Sequence, residues 1–220
     1  MPFKAVVFDL DGTLIDTLED LGNAMNRILM ERGLPTHNMD AYRHFIGDGV
    51  AMLVTRALPE EKRNDDSISV YSEAFREEYS KNWNVMTKPY DSVPEMLDAL
   101  KLGGLKMSIL SNKPHDFTEL CVSELLPNWN FDVVIGQRDS VPLKPDPTSA
   151  LEIAEFLNIP PVDFLYLGDT DIDMKTAIAA GMFPAGVLWG FRSAEELQEG
   201  GARALIQSPM EIMNLINDFK

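Results

Sequence analysis

A single cysteine, Cys121, stands among 220 residues, so no intrachain disulfide can form. A disulfide-stapled secreted fold is excluded, and a reducing compartment is expected. No apolar run approaches the roughly 20 residues of a membrane-spanning helix. The opening segment, MPFKAVVFDL, is too short an apolar run for a signal peptide and leads at once into acidic residues. A cytoplasmic location is therefore the expectation. Basic residues are scarce as well: 19 Lys and Arg face 35 Asp and Glu, a formal net charge of −16. Such a surface repels nucleic acid and anionic membranes, and neither is an expected partner. The same charge constrains an anionic substrate. A phosphate site here needs local positive potential from lysine, backbone N–H groups or a metal ion. The chain carries no internal repeat and no low-complexity tract. The oligomeric state is not readable from the sequence, and a monomer is the default.

What is present is enough apolar material, 45% of residues, to bury a sizeable core in one large domain or in a core with a smaller insert. Residues 4–8 (KAVVF) read as a short buried strand. An amphipathic helix follows, with Leu18, Leu21, Met25, Ile28 and Leu29 at helical spacing and Gly33 as its stop. From residue 16 to 88 the patterns are helical, over 51–58 and 67–83 in particular, and Pro89 breaks them. After Pro89 helix and strand alternate. Helices are predicted over 93–102, 115–126, 148–157, 171–180 and 209–219, and strands over 105–110, 133–135, 164–167, 184–188 and 204–206. Alternation of this kind predicts an α/β fold with a parallel sheet covered on both faces. The helical stretch reads as an insert, so the expected division is a core of residues 1–15 and 89–220 and a helical domain of residues 16–88.

In open α/β sheets ligands bind beyond the carboxyl ends of the strands, so the residues following each predicted strand are the candidates. They are Asp9 and Asp11 after the first, Ser111, Asn112 and Lys113 after the second, and Asp169, Asp171 and Asp173 after 164–167. Lys144 lies in the loop before the helix at 148, stiffened by Pro145 and Pro147. Asp9 and Asp11 are two residues apart, so in an extended chain both face one way, and Gly12 permits a tight turn. Such a pair serves as a solvated turn, a metal site or an acid–base couple. With Asp169 it offers hard oxygen ligands of the kind Mg²⁺ prefers. Asp171 fits the first turn of a helix, where acids suit the dipole. Asp173 fits equally an orienting role or a place on the metal. Lys113 and Lys144 read as surface lysines or as phosphate ligands, and Lys144, in its stiffened loop, is the stronger candidate. Ser111 offers a hydroxyl to a phosphate oxygen, and Asn112 offers an amide or forms a turn.

These residues, in this order, resemble the haloacid dehalogenase superfamily. Asp9-Leu10-Asp11-Gly12-Thr13-Leu14 matches its phosphatase signature. Ser111-Asn112, Lys144-Pro145 and Gly168-Asp169-Thr170-Asp171-Ile172-Asp173 match its later motifs. The resemblance implies a Rossmann-like core with an all-helical cap inserted after the first motif. It implies Asp9 as nucleophile, forming an aspartyl-phosphate, and Asp11 as the acid and base. It also implies Mg²⁺ held by Asp9, the Asp11 carbonyl and Asp169, with Asp173 beside them, and a phosphoryl group held by Ser111, Asn112 and Lys144. Within the superfamily the chain looks most like the phosphoglycolate phosphatase group. The cap segment Phe45-Ile46-Gly47-Asp48-Gly49 resembles that group's cap loop, which makes Gly47 and Gly49 candidate substrate contacts. Arg43, His44 and Arg56 are further candidates for a substrate carboxylate, or a solvated face.

The expected reaction is Mg²⁺-dependent hydrolysis of a small phosphorylated metabolite. A β-phosphoglucomutase-like enzyme shares the machinery, but those mutases carry a cap histidine ten residues after the second aspartate, where this chain has Leu21. A pyrophosphatase or a nucleotidase would use the same core. A non-catalytic binding protein would keep the same fold, although every motif position is filled here.

Overall fold

The computed structural model describes residues 3–219; residues 1, 2 and 220 of the expected core lie outside them. The chain opens with β1 (Ala5–Phe8) and a two-residue strand β2 (Ile15–Asp16). Four helices follow: α1 (Leu18–Glu31), α2 (Met39–Phe45), α3 (Val50–Ala57) and α4 (Asp65–Asn82). A second two-residue strand, β3 (Lys88–Pro89), pairs with β2. From there the order is α5 (Val93–Leu102), β4 (Lys106–Pro114), α6 (His115–Leu125), β5 (Val133–Gln137) and α7 (Thr148–Leu157). It continues through β6 (Phe164–Gly168), α8 (Asp171–Ala180), β7 (Phe183–Val187), α9 (Ala194–Glu199), β8 (Ala204–Ile206) and α10 (Ile212–Asp218). Two compact units result, parting between Ile15 and Asp16 and between Lys88 and Pro89.

The first unit is built on a six-stranded sheet in the order β5-β4-β1-β6-β7-β8, every pairing parallel. β1 is buried along its length, as a central strand of Ala, Val, Val and Phe should be. One sheet face sets Ala5, Val7, Phe164 and Tyr166 against Ala150, Ile153 and Ala154 of α7 and Ala177 and Ala180 of α8. The alternate residues Val6, Phe8, Leu165 and Leu167 point the other way and are equally buried. Several features depart from the sequence expectation, the two-residue strands β2 and β3 among them. β4 does not stop at Leu110 but runs through Ser111, Asn112 and Lys113 to Pro114, with a register shift against β5 between Leu110 and Pro114. Helix α9 has no counterpart among the predicted elements; a capping box between Ser193 and Glu196 starts it.

The second unit packs α1 against α2 and α4, and α3 against α2 and α4. Its interior is apolar and aromatic, with Tyr42, Phe75, Tyr79 and Trp83 buried beside Leu53 and Val54. Asn26 pins the segment after α1. Its side chain accepts from the His37 N–H (2.9 Å) and the Tyr42 hydroxyl (2.8 Å) and donates to the His37 carbonyl (2.8 Å). Asp20 is 3% exposed, and its carboxylate receives the Met86 N–H, the Thr87 N–H and the Thr87 hydroxyl. No described helix is long and apolar enough to cross a membrane.

Candidate active site

β1 has β4 on one side and β6 on the other, so the carboxyl ends of these three strands meet at one edge. Asp9 continues β1: its N–H donates to Leu167 O at 2.9 Å. The chain then turns tightly, with Leu10 O accepting from the N–H groups of Thr13, Leu14 and Ile15 (3.3, 3.0 and 3.1 Å). Gly12 makes that turn possible. Its φ is 88°, and a Cβ there would lie 2.3 Å from Asp169 Oδ2.

Lys144 enters this edge from the loop before α7. It is 6% exposed, and its Nζ donates to Asp9 Oδ1 (2.8 Å), Asp173 Oδ1 (2.7 Å) and Leu110 O (3.2 Å). Burial works against its charge, but Asp173 and Asp9 hold the ammonium protonated well above its ordinary range. Asn112 locks the same loop in place. Its amide donates to Lys144 O (3.1 Å), and its carbonyl accepts from Lys144 N (2.9 Å). The side chain expected to offer its amide to phosphate is thus set on the Lys144 backbone, because a buried peptide needs its own partners. Ser111, 4% exposed, accepts from Lys113 N at 3.2 Å and lines a cleft with Asn112, Lys144 and Arg138.

Asp9, Asp169 and Asp173 form a buried cluster in which one carboxylate oxygen of each lies within 4.8 Å of the others. Asp169 is fully buried and accepts from the Thr13 hydroxyl (3.2 Å) and the Phe191 N–H (2.8 Å). Asp173 serves α8 as well: its Oδ2 receives the N–H (3.1 Å) and the hydroxyl (2.7 Å) of the N-cap residue Thr170. Asp171 faces outward and pairs with Lys175, as its place in a first helical turn suggested. Desolvation, aided by Asp173 and Asp11 and opposed by Lys144, pushes the Asp9 carboxyl up from 3.8 to about 7. Burial, then the Asp9 and Asp173 charges, raises Asp169 well above the ordinary carboxylate range. Three hard-oxygen carboxylates crowded together match the donor chemistry of a small divalent cation. Room beside them is kept by Gly190, where a Cβ would lie 2.3 Å from the Asp169 Cβ and 2.5 Å from Gly12 O.

Asp11 takes a different partner. Its carboxylate faces Lys113 Nζ at 3.1 and 3.3 Å and stands outside the three-acid cluster. The two aspartates that look equivalent in sequence therefore have one lysine each. Gly47 and Gly49 lie in the helical unit, in the turn between α2 and α3, with φ of 122° and 83°. Arg56, a candidate for a substrate carboxylate, pairs with Asp48 in that turn (2.5 Å) and donates to His44 O and Phe45 O, both at 3.2 Å. Sequence reasoning does not single out the segment after β7, where Trp189 Nε1 donates to Thr13 O (2.9 Å) and Phe191 supplies its N–H to Asp169. A backbone donor carries no side-chain signal, and an indole after a strand reads as core.

A family model described as haloacid dehalogenase-like hydrolase matches residues 6–187. The phosphoglycolate phosphatase of Aquifex aeolicus is 36% identical over 188 residues, covering 86% of each chain. That of Nitrosospira multiformis is 35% identical over 222 aligned positions, covering 98% of this chain and 96% of its own. A solved structure from Lactobacillus delbrueckii subsp. bulgaricus superposes with a TM-score of 0.91 at 28% identity, covering 98% of this chain and 99% of that one.

Proposed function

We propose that this chain, which belongs to the haloacid dehalogenase-like hydrolase family, is a Mg²⁺-dependent phosphatase acting on a small phosphorylated metabolite of the phosphoglycolate kind. The observation that carries the reading is Lys144 held between Asp9 and Asp173 inside a buried carboxylate cluster. A net-anionic protein must supply local positive charge to attract a phosphate dianion, and Lys144 puts an ammonium on the carboxylate expected to attack it, among acids able to hold a divalent cation. The named activity of the Aquifex and Nitrosospira relatives supports the substrate class.

In this reading Asp9 attacks phosphorus in line and becomes phosphorylated, and the ester oxygen leaves as an alcohol. Asp11 gives the leaving oxygen its proton and later takes one from the water that releases phosphate. Lys144 and Ser111 hold the phosphoryl oxygens, and Asn112 keeps Lys144 in position. Asp173 orients Lys144. Asp9, the Asp11 carbonyl and Asp169 would hold Mg²⁺, which when bound neutralises charge between the acids and the phosphate. The helical unit serves as the cap, with Gly47 and Gly49 in its substrate loop. The protein works in the cytoplasm, in keeping with its acidic surface and its one buried thiol.

Turnover of p-nitrophenyl phosphate and of phosphoglycolate, with and without EDTA, tests this. Both should be hydrolysed, and the chelator should stop both. Turnover that survives full chelation, or none on any phosphate ester, would end the proposal.

A further inference from the structure

Lys113 has no part in the chemistry above, yet it is buried at the same sheet edge. Its side chain is 4% exposed, and its Nζ meets both oxygens of Asp11. Lys144 meanwhile aims its N–H donors at Asp9, Asp173 and Leu110 O. The two lysines therefore divide the pair, one on the attacking carboxylate and one on the proton-transferring carboxylate. The leaving oxygen must come within hydrogen-bond reach of the group that protonates it, so the leaving alcohol lies on the side of Asp11 and Lys113. In a phosphorylated 2-hydroxy acid a single carbon separates that oxygen from a carboxylate. The carboxylate then stays close to Asp11, an acid that would repel it, and a positive charge is needed at that place. A lysine ammonium is a compact charge with three donors and can serve two acceptors together.

We propose that Lys113 is a specificity-determining residue of the core that binds the carboxylate of a substrate whose phosphate ester sits on the adjacent carbon. The substrate class is the phosphorylated 2-hydroxy acids, of which phosphoglycolate is the simplest. The inference rests on the roles given to Asp9 and Asp11 under the proposed function.

The test compares phosphoglycolate with ethyl phosphate, which has the same backbone length and no carboxylate. kcat and KM are measured for the wild type, Lys113→Met and Lys113→Arg, with the fold of each checked by circular dichroism. Lys113→Met should lower the phosphoglycolate to ethyl phosphate ratio of kcat/KM by at least about tenfold, mostly through KM, and Lys113→Arg should recover part of it. Equal losses on both esters would overturn the proposal while leaving the phosphatase reading in place, since Lys113 would then act only on Asp11. A wild type that hydrolyses ethyl phosphate as well as phosphoglycolate removes the carboxylate reading and this inference together. If Lys113→Met does not fold, Lys113→Gln, which keeps a donor toward Asp11 without the charge, carries the same comparison and is judged by the same ratio.

Discussion

Each unit of this protein buries aspartate, and does so in opposite ways. In the helical unit Asp20 receives two backbone N–H groups and a hydroxyl, all neutral donors from residues 86 and 87. It ties the end of that unit to its first helix. In the sheet unit Asp9, Asp169 and Asp173 are set against one another, with Lys144 between Asp9 and Asp173. Burial and like charge drive the Asp9 carboxyl to about 7. An acid surrounded by donors supports architecture, while acids crowded together retain an electrostatic cost that a cation relieves. Burial alone does not separate the two kinds, since Asp20 is 3% exposed and Asp9 6%. The partners do.

The comparison breaks most decisively at Asp9. Asp9→Asn should reduce kcat on the order of 10⁴-fold or more, while Asp11→Asn, which removes acid–base help, should cost about 10²–10⁴-fold. The Asp9 variant should melt no lower than the wild type in metal-free buffer at pH 8, because it removes one charge from a repelling cluster. An active Asp9→Asn enzyme would refute the covalent route, and a large drop in Tm would mean that the cluster is architectural like Asp20.

The opposite outcome is expected in the helical unit. Asp20→Ala strands three donors, at a cost of about 3 kcal/mol and a Tm lowered by roughly 6–12 °C. The rise in Tm expected on adding Mg²⁺ should survive in this variant. If it disappears, the two sets of acids are not independent.

The smallest effect sharpens the comparison through pH. The Asp9 carboxyl titrates near 7 when folded against 3.8 as its ordinary value. Between those values the folded chain binds the extra proton, so stability from this group is fully present below about 4 and is lost as pH rises through 7. Mg²⁺ competes with that proton, and the Tm gain it gives should be a few degrees larger at pH 8 than at pH 6. Calorimetric scans showing equal gains at the two pH values would place the ion away from Asp9.

Much of the site is legible in the chain alone. Asp9, Ser111, Lys144 and Asp169 each follow a short apolar strand or sit in a proline-stiffened loop, and strand alternation after Pro89 puts such ends on one edge. Less legible are the pairings. Asn112 reads as a phosphate donor and is set on the Lys144 backbone. Lys113 reads as the weaker of two candidate lysines and is buried on Asp11. The run of β4 through Pro114 brings Asn112 and Lys113 to these partners, and local periodicity carries no sign of that extension.

By itself the sequence determined the parallel α/β core, the helical insert and the candidate polar groups at the strand ends, because hydrophobic period and strand-end position are local properties of the chain. Only the tertiary structure decided how the charges divide, with Lys144 on Asp9 and Asp173 and Lys113 on Asp11. Those partners lie 29 to 135 residues apart. Which carboxylate a buried ammonium meets depends on strand order and register, which no short stretch of sequence contains.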